Sequence, residues 1–255
     1  MFETFNVSAV CVANHAVMAL HGTGRTTGLV VDCGDAVCRV VPVHEGHVHP
    51  PRHDTLGSPV LRFDHGGRDI MEHLMRISSG YLYSTPAERD LVRMIKEEMA
   101  YIALDFEEEM KVPTSDIQRD FELPNMAGPL MFGNERFRCT ELLFQPDIIG
   151  SKSQGIHNVV HNSIMSCEAG IRDEMFANVL LTGGASMLSG FAERLQKELK
   201  CFVAPHVKVQ VLSPPERKHL SWIGGSIFAG GANSSVWISK EEYDDVGPSV
   251  VNKCI

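Results

Sequence analysis

The chain is expected to be an α/β protein, on three observations. Apolar runs that read as strands alternate with helix-period stripes. A strand, a glycine-rich loop and a helix follow one another near residue 180, and no tandem repeat interrupts the pattern. A length of 255 residues suits one large domain or two modest ones with a real core. With 23 Lys+Arg against 32 Asp+Glu, the net charge of −9 argues against a nucleic-acid binder that works through bulk charge. No apolar run is long enough to predict a membrane span. The opening Met-Phe-Glu-Thr-Phe-Asn lacks the basic and apolar regions of a secretory leader, which predicts an intracellular address.

Taken in order, residues 8–20 read as a short buried helix with Ser8 as its N-cap, broken by His-Gly-Thr-Gly at 21–24. Thr27–Asp32 and Val37–Val43 read as strands joined by the hairpin turn Cys33-Gly34-Asp35-Ala36. Residues 44–60, rich in proline and histidine, read as an exposed loop. The strongest helix is expected from Pro86 to about Phe106, because Leu91, Ile95, Met99 and Ile102 fall at steps of four, four and three. Arg93, Lys96 and Glu97 share one sector of that helix, and spacing alone favours a solvated face. Residues 107–128 read as a mobile connection, followed by short irregular elements at 132–138 and 142–146. A helix is expected over 155–168 with Ile156, Val159, Val160, Ile164 and Met165 buried. Asn178–Thr182 reads as a buried strand, Gly183-Gly184-Ala185-Ser186 as a tight loop, and Leu188–Leu199 as a helix with Phe191, Leu195 and Leu199 inward. This unit can bring backbone N–H groups to a phosphate, although glycine pairs often only turn the chain. Trp222–Gly230 reads as a small-residue helix suited to close packing.

Seven cysteines, at 11, 33, 38, 139, 167, 201 and 254, are odd in number and irregular in spacing, so free and mostly buried thiols are expected. His44, His47, His49 and His53 crowd one stretch, but only Glu45 and Asp54 are near enough to complete a metal site. A solvated loop is the preferred reading.

Several longer strings carry a family resemblance. They are Met1-Phe-Glu-Thr-Phe-Asn-Val7, Gly24-Arg-Thr-Thr-Gly28, Ala103-Leu-Asp-Phe-Glu-Glu-Glu-Met110, Gly133-Asn-Glu-Arg-Phe-Arg-Cys139, Leu143-Phe-Gln-Pro146, Pro214-Pro-Glu-Arg-Lys218, Trp222-Ile-Gly-Gly-Ser226 and Lys253-Cys-Ile255. Across nearly its whole length the chain resembles actin and the actin-related proteins, most of all the short, divergent actin-like proteins of the male germ line. The resemblance implies a partial actin-like fold that keeps the inner large domain. Its core subdomain would lie at 23–65 and 152–219, an inserted subdomain at 66–151, and remnants of the outer subdomain at 1–22 and 220–255. Met1 aligns within the actin chain, so the first phosphate loop, with its lysine, is expected to be missing.

The same resemblance implies roles for particular residues. Asp32, Gly34 and Asp35 match the second phosphate hairpin, where the first acid helps hold a hydrated metal and Ala36 replaces a glycine. Gly67 and Asp35 match ribose- and phosphate-adjacent positions, and Arg93, Lys96 and Glu97 the adenine and ribose side. Gly183, Gly184 and Met187 match the adenosine loop, with Leu188 where actins carry tyrosine, and Lys218 matches another adenine-side contact. The family polarises its attacking water with a glutamine and a histidine, whereas this chain has His15 and Arg39 there. An arginine cannot accept a proton, so hydrolysis is expected to be lost. The expected protein is a non-catalytic, cytoplasmic and cytoskeletal actin-like component with no catalytic or metal-ligating residues and no required cofactor. At most it binds ATP and magnesium weakly. Its expected partners are actin, actin-related or actin-binding proteins, not nucleic acid or membrane. The alternatives are a nucleotide-dependent subunit that assembles into or caps filaments, and a weak ATPase.

Overall fold

The computed structural model describes residues 1–49, 58–78, 85–122, 128–231 and 236–253. It opens with α1 (Phe2–Phe5), β1 (Ala9–Val10), α2 (His15–His21), β2 (Gly28–Cys33), β3 (Cys38–His44), β4 (His47–Val48) and β5 (Leu61–Phe63). Helices α3 (Gly67–Ile77), α4 (Pro86–Met99), α5 (Phe106–Glu109) and α6 (Thr114–Ile117) precede the antiparallel pair β6 (Arg119–Phe121) and β7 (Leu130–Phe132). Then come α7 (Glu135–Arg138), α8 (Ile156–Ser166), α9 (Ala169–Ala177), β8 (Val179–Thr182), α10 (Phe191–Lys200) and β9 (Val211–Leu212). The described chain closes with α11 (Leu220–Gly231), β10 (Ile238–Ser239), α12 (Lys240–Val246) and a final 3-10 turn.

The main sheet has the order β4-β3-β2-β8-β9, with β5 also pairing β3. The turn at Cys33–Ala36 makes β2 and β3 antiparallel in the register Gly28↔Val43 through Cys33↔Cys38, as expected from sequence. Strand β8 runs parallel to both β2 and β9. Side chains alternate across this sheet as the period of two demands. Leu29, Val31, Cys33 and Val40 join the larger core with residues of α3, α4, α8 and α10. Val30, Val41, Val43 and Leu180 face α2 and the first residue of α11. That larger core is continuous from the sheet into residues of the 66–151 segment, including Val92, Ile95, Phe121 and Phe132. The result is a mixed α/β architecture consistent with the partial actin-like fold expected above.

Helices α2 and α11 approach as closely as backbones allow. A Cβ on Gly224 would stand 1.7 Å from the Met18 carbonyl oxygen, so no larger residue fits there without parting the helices. Trp222, on the side of α11 turned away from Gly224, is 75% exposed, Ile227 further along the helix is 53% exposed, and the helix carries no charged residue.

Several expectations are corrected. The first helix starts at His15, capped by Asn14, whose side chain accepts the Ala16 N–H; Ser8 caps nothing there, because residues 9–10 pair with β10 instead. Helix α4 begins at Pro86 as expected, and the structure adds a capping box formed by Thr85 and Glu88. It stops at Met99, not near Phe106, because Tyr101 bridges to Ser189 and Ile102 N–H donates to the Ser189 carbonyl. Its buried stripe is Val92, Ile95, Lys96 and Met99, with Leu91 only half-buried. Residues 107–128 are not a bare connection: Ile117 and Phe121 are buried within α6 and β6. Residues 44–49 are not all exposed loop, since His47–Val48 returns against β3 and His49 is buried. Met165 faces outward at 43% exposure and Val159 is half-buried. Helix α9 has no counterpart among the sequence expectations. His53 and Cys254 lie outside the described residues. Of the other cysteines, 33, 38, 139 and 167 are buried free thiols, Cys11 is half-buried and Cys201 exposed. Burial pushes the Cys139 thiol up to about 12 and that of Cys167 to about 11, which suits packing groups better than nucleophiles.

Candidate functional site

Asp32, the last residue but one of β2, lies directly beside Thr182, which ends the parallel strand β8. Ligands of α/β sheets sit outside such carboxyl ends. On one side the hairpin turn is closed by Gly34 N–H donating to the Val37 carbonyl at 3.0 Å. Its own carbonyls then receive the start of α3: Gly67 N–H donates to Gly34 O at 3.0 Å and Arg68 N–H to Asp35 O at 2.7 Å. This approach needs a glycine, because a Cβ on Gly66 would lie 2.6 Å from the Asp35 carbonyl oxygen. On the other side β8 turns through Gly183 at φ 88°, where a Cβ would meet Cys33 O at 2.4 Å and Asp32 Oδ1 at 2.6 Å.

Between these turns and α4 lies a cleft of about 310 Å³. It brings together Gly34, Asp35, Gly67, Lys96, Glu97, Gly184, Met187 and Lys218, residues that sequence placed there only through the family resemblance. Three expected residues do not line it. Arg93 points away, exposed and ion-paired to Asp90 at 3.1 Å one turn earlier on α4. Asp32 and Gly183 stand behind the lining, packed against one another as described. Ile70, Ala185 and Leu188 line the cleft without having been named as site residues. Ile70 and Ala185 lie within three residues of Gly67 and Gly184, and Leu188 follows Met187 at the position where the resemblance puts a tyrosine; those were the signals available.

Lys96 is buried, contrary to the solvated-face reading, and its Nζ lies 3.4 Å from the Gly67 carbonyl oxygen. Burial pulls its pKa below the ordinary lysine value, while Glu97 and Asp35 pull the other way. The two acids of the hairpin both already have basic neighbours. His15 Nε2 is 3.1 Å from Asp32 Oδ2, close enough for an ion pair although the ring N–H is not aligned as a hydrogen bond. Arg68 Nη2 lies 3.1 Å from Asp35 Oδ2. Arg39 pairs across the strands from Asp32 and is exposed.

The residues present therefore fit one half of a nucleotide better than the other. Gly184, Met187, Leu188 and Ile70 form an apolar wall, and Lys96, Glu97 and Lys218 add polar groups, a composition suited to a base and sugar. At the phosphate end Asp32, which matches the acid that helps hold a hydrated metal, faces His15, and Asp35 faces Arg68.

A family model described as actin matches residues 1–255 of the chain. The chain belongs to the actin family. In this actin-family chain the cleft between the β2–β3 turn, α3, α4 and the turn after β8 thus occupies the place that the resemblance assigns to the nucleotide. No helix among the described residues is long and apolar enough to cross a membrane.

Proposed function

We propose that this actin-family protein is a non-catalytic interaction component of the cytoskeleton, with at most weak nucleotide binding in its cleft. The observation that carries the reading is that the chain's own basic groups stand beside both hairpin carboxylates, His15 Nε2 at 3.1 Å from Asp32 and Arg68 Nη2 at 3.1 Å from Asp35. Phosphoryl transfer depends on positioning and on charge stabilisation around the phosphates. Here the resemblance would place a metal beside Asp32, yet the His15 ring nitrogen stands 3.1 Å from that carboxylate. The adenosine wall supplies contacts that order a base and ribose, while the polyphosphate keeps its solvent, where ion pairs contribute little.

Interaction with other proteins is supported by the uncharged outer face of α11. Trp222 stands exposed on the side of α11 turned away from its contact with α2, and Ile227 is exposed further along the same helix. Actin, actin-related and actin-binding proteins are the partner class that family membership favours, and pull-down with mass spectrometry identifies them. The nucleotide reading is tested by titrating a fluorescent ATP analogue with magnesium while following phosphate release. The expected result is a Kd weaker than about 1 µM and release at background. Submicromolar binding with turnover abolished by Asp32→Asn would overturn it.

A further inference from the structure

Apart from the cleft, a second polar constellation forms where β5, the start of α3 and the 151–154 loop meet. His65 is 9% exposed. Its Nε2 lies 2.9 Å from Ser151 Oγ and 3.0 Å from Ser153 Oγ. Its Nδ1 lies 3.5 Å from Asp69 Oδ1, too long for a hydrogen bond, and makes no other among the described residues. Asp69 is itself held by the Gly66 N–H, which donates to Oδ2 at 2.8 Å. A fixed carboxylate this near favours the ring proton on Nδ1. Nε2 is then a bare acceptor, and a serine hydroxyl must donate to it. One lone pair cannot serve two hydroxyls. The two Oγ atoms lie 2.5 Å apart, so one serine donates to Nε2 and the other to its neighbour; Ser153 is exposed, whereas Ser151 is half-buried and its Oγ accepts the Ser153 N–H at 3.3 Å. Both serines open onto a polar groove of about 690 Å³ whose wall also includes Lys152, Asn158 and Glu198.

We propose that Ser153 is a reactive serine that takes an acyl group from an activated ester in this groove, with His65 as its base. Ser153 Oγ forms a bond to the carbonyl carbon as its proton passes to His65 Nε2. The bond to the leaving alkoxide then breaks, and the alkoxide receives that proton, leaving acyl-Ser153 and a neutral alcohol. Nucleophile and base are within the reach such chemistry requires, and the base has a third group beside its other nitrogen, an arrangement looser in the unliganded state. Lys152 supplies a cation on the same wall for the oxygen that becomes negative during attack. Asp69 acts as a positioning residue, through the tautomer.

The test is labelling of the full chain with a fluorophosphonate probe, mapped by peptide mass spectrometry. Exposed Ser115, beside Asp116, is the internal control. Ser153 should react at least about tenfold faster than Ser115. Ser153→Ala should remove that label, and His65→Gln should slow it at least about tenfold with an unchanged melting curve. Should His65→Gln fail to fold, Asp69→Asn serves: labelling falls and the ¹⁵N shifts of the His65 ring move towards the Nε2–H tautomer. Equal reactivity of Ser153 and Ser115, or a rate unchanged by either variant, would overturn the proposal.

Discussion

Arg194 Nη2 lies 3.0 Å from Glu141 Oε1, and Arg68 Nη2 lies 3.1 Å from Asp35 Oδ2. The distances match, but the settings do not. The side chains of the first pair are 7% and 0% exposed, and those of the second 60% and 63%. Arg194 also donates to the Ala103 carbonyl and to Glu198, stacks over Phe144, and shares Glu141 with Gln145. Burial pushes the Glu141 carboxyl up while Arg194 pulls it down. The comparison teaches that separation alone does not rank ion pairs. Desolvation makes the inner pair costly to break, and solvent makes the outer pair easy to exchange for a ligand.

The largest expected effect breaks the inner pair. Arg194→Ala strands a buried carboxylate and should cost about 3–5 kcal/mol in urea unfolding. Replacing both partners together, Glu141→Leu with Arg194→Met, should restore most of that loss; a double variant as unstable as Arg194→Ala would show that the pair itself stabilises the fold. Acid should act next. Burial pulls His73, His157 and His161 below the ordinary value of 6.5, with Arg76 and Arg138 adding to the effect at His73 and Arg194 at His157, while Glu198 opposes it at His157 and Asn162 at His161. These rings are held neutral in the fold, so below pH 6.5 the unfolded chain binds more protons than the folded one. Their contribution is full above that pH and should be lost as pH falls through the depressed folded values, which melting curves across pH 7.5 to about 5 would follow. Stability that is flat over this range contradicts the burial of those rings. The smallest stability effect belongs to the outer pair: Asp35→Asn should change stability by less than about 1 kcal/mol. Its readout is binding. Freed Arg68 should tighten the ATP analogue severalfold at low salt, and the gain should fade as salt rises. Weaker binding in this variant would mean that Asp35 serves a metal after all.

Much of the fold was legible because it rests on local chemistry. The hairpin over Gly28–His44, the start of α4 at Pro86 and the β8–glycine–α10 unit each declare themselves within a few consecutive residues. Illegible features depend on distant partners. Helix α4 ends where it does because Ser189 captures Tyr101 and Ile102, and residues 9–10 become a strand because Ile238–Ser239 lies beside them. The site divides in the same way. Eight residues of the cleft came from resemblance to actins, while Arg93 was misplaced because the helix sector containing Arg93, Lys96 and Glu97 straddles the boundary between solvent and floor.

By itself, then, the order of residues determined the alternation of strands and helices, the tight turns at Cys33–Ala36 and Gly183–Ser186, and membership of the actin family. Patterning, turn chemistry and long matched strings are all properties of neighbours along the chain. Only the tertiary structure decided that Lys96 is buried, that His15 and Arg68 reach the hairpin acids, and that His65 meets two serines more than eighty residues away. The physical reason is that burial and electrostatic pairing act through space, and a sequence states only what is adjacent along the backbone.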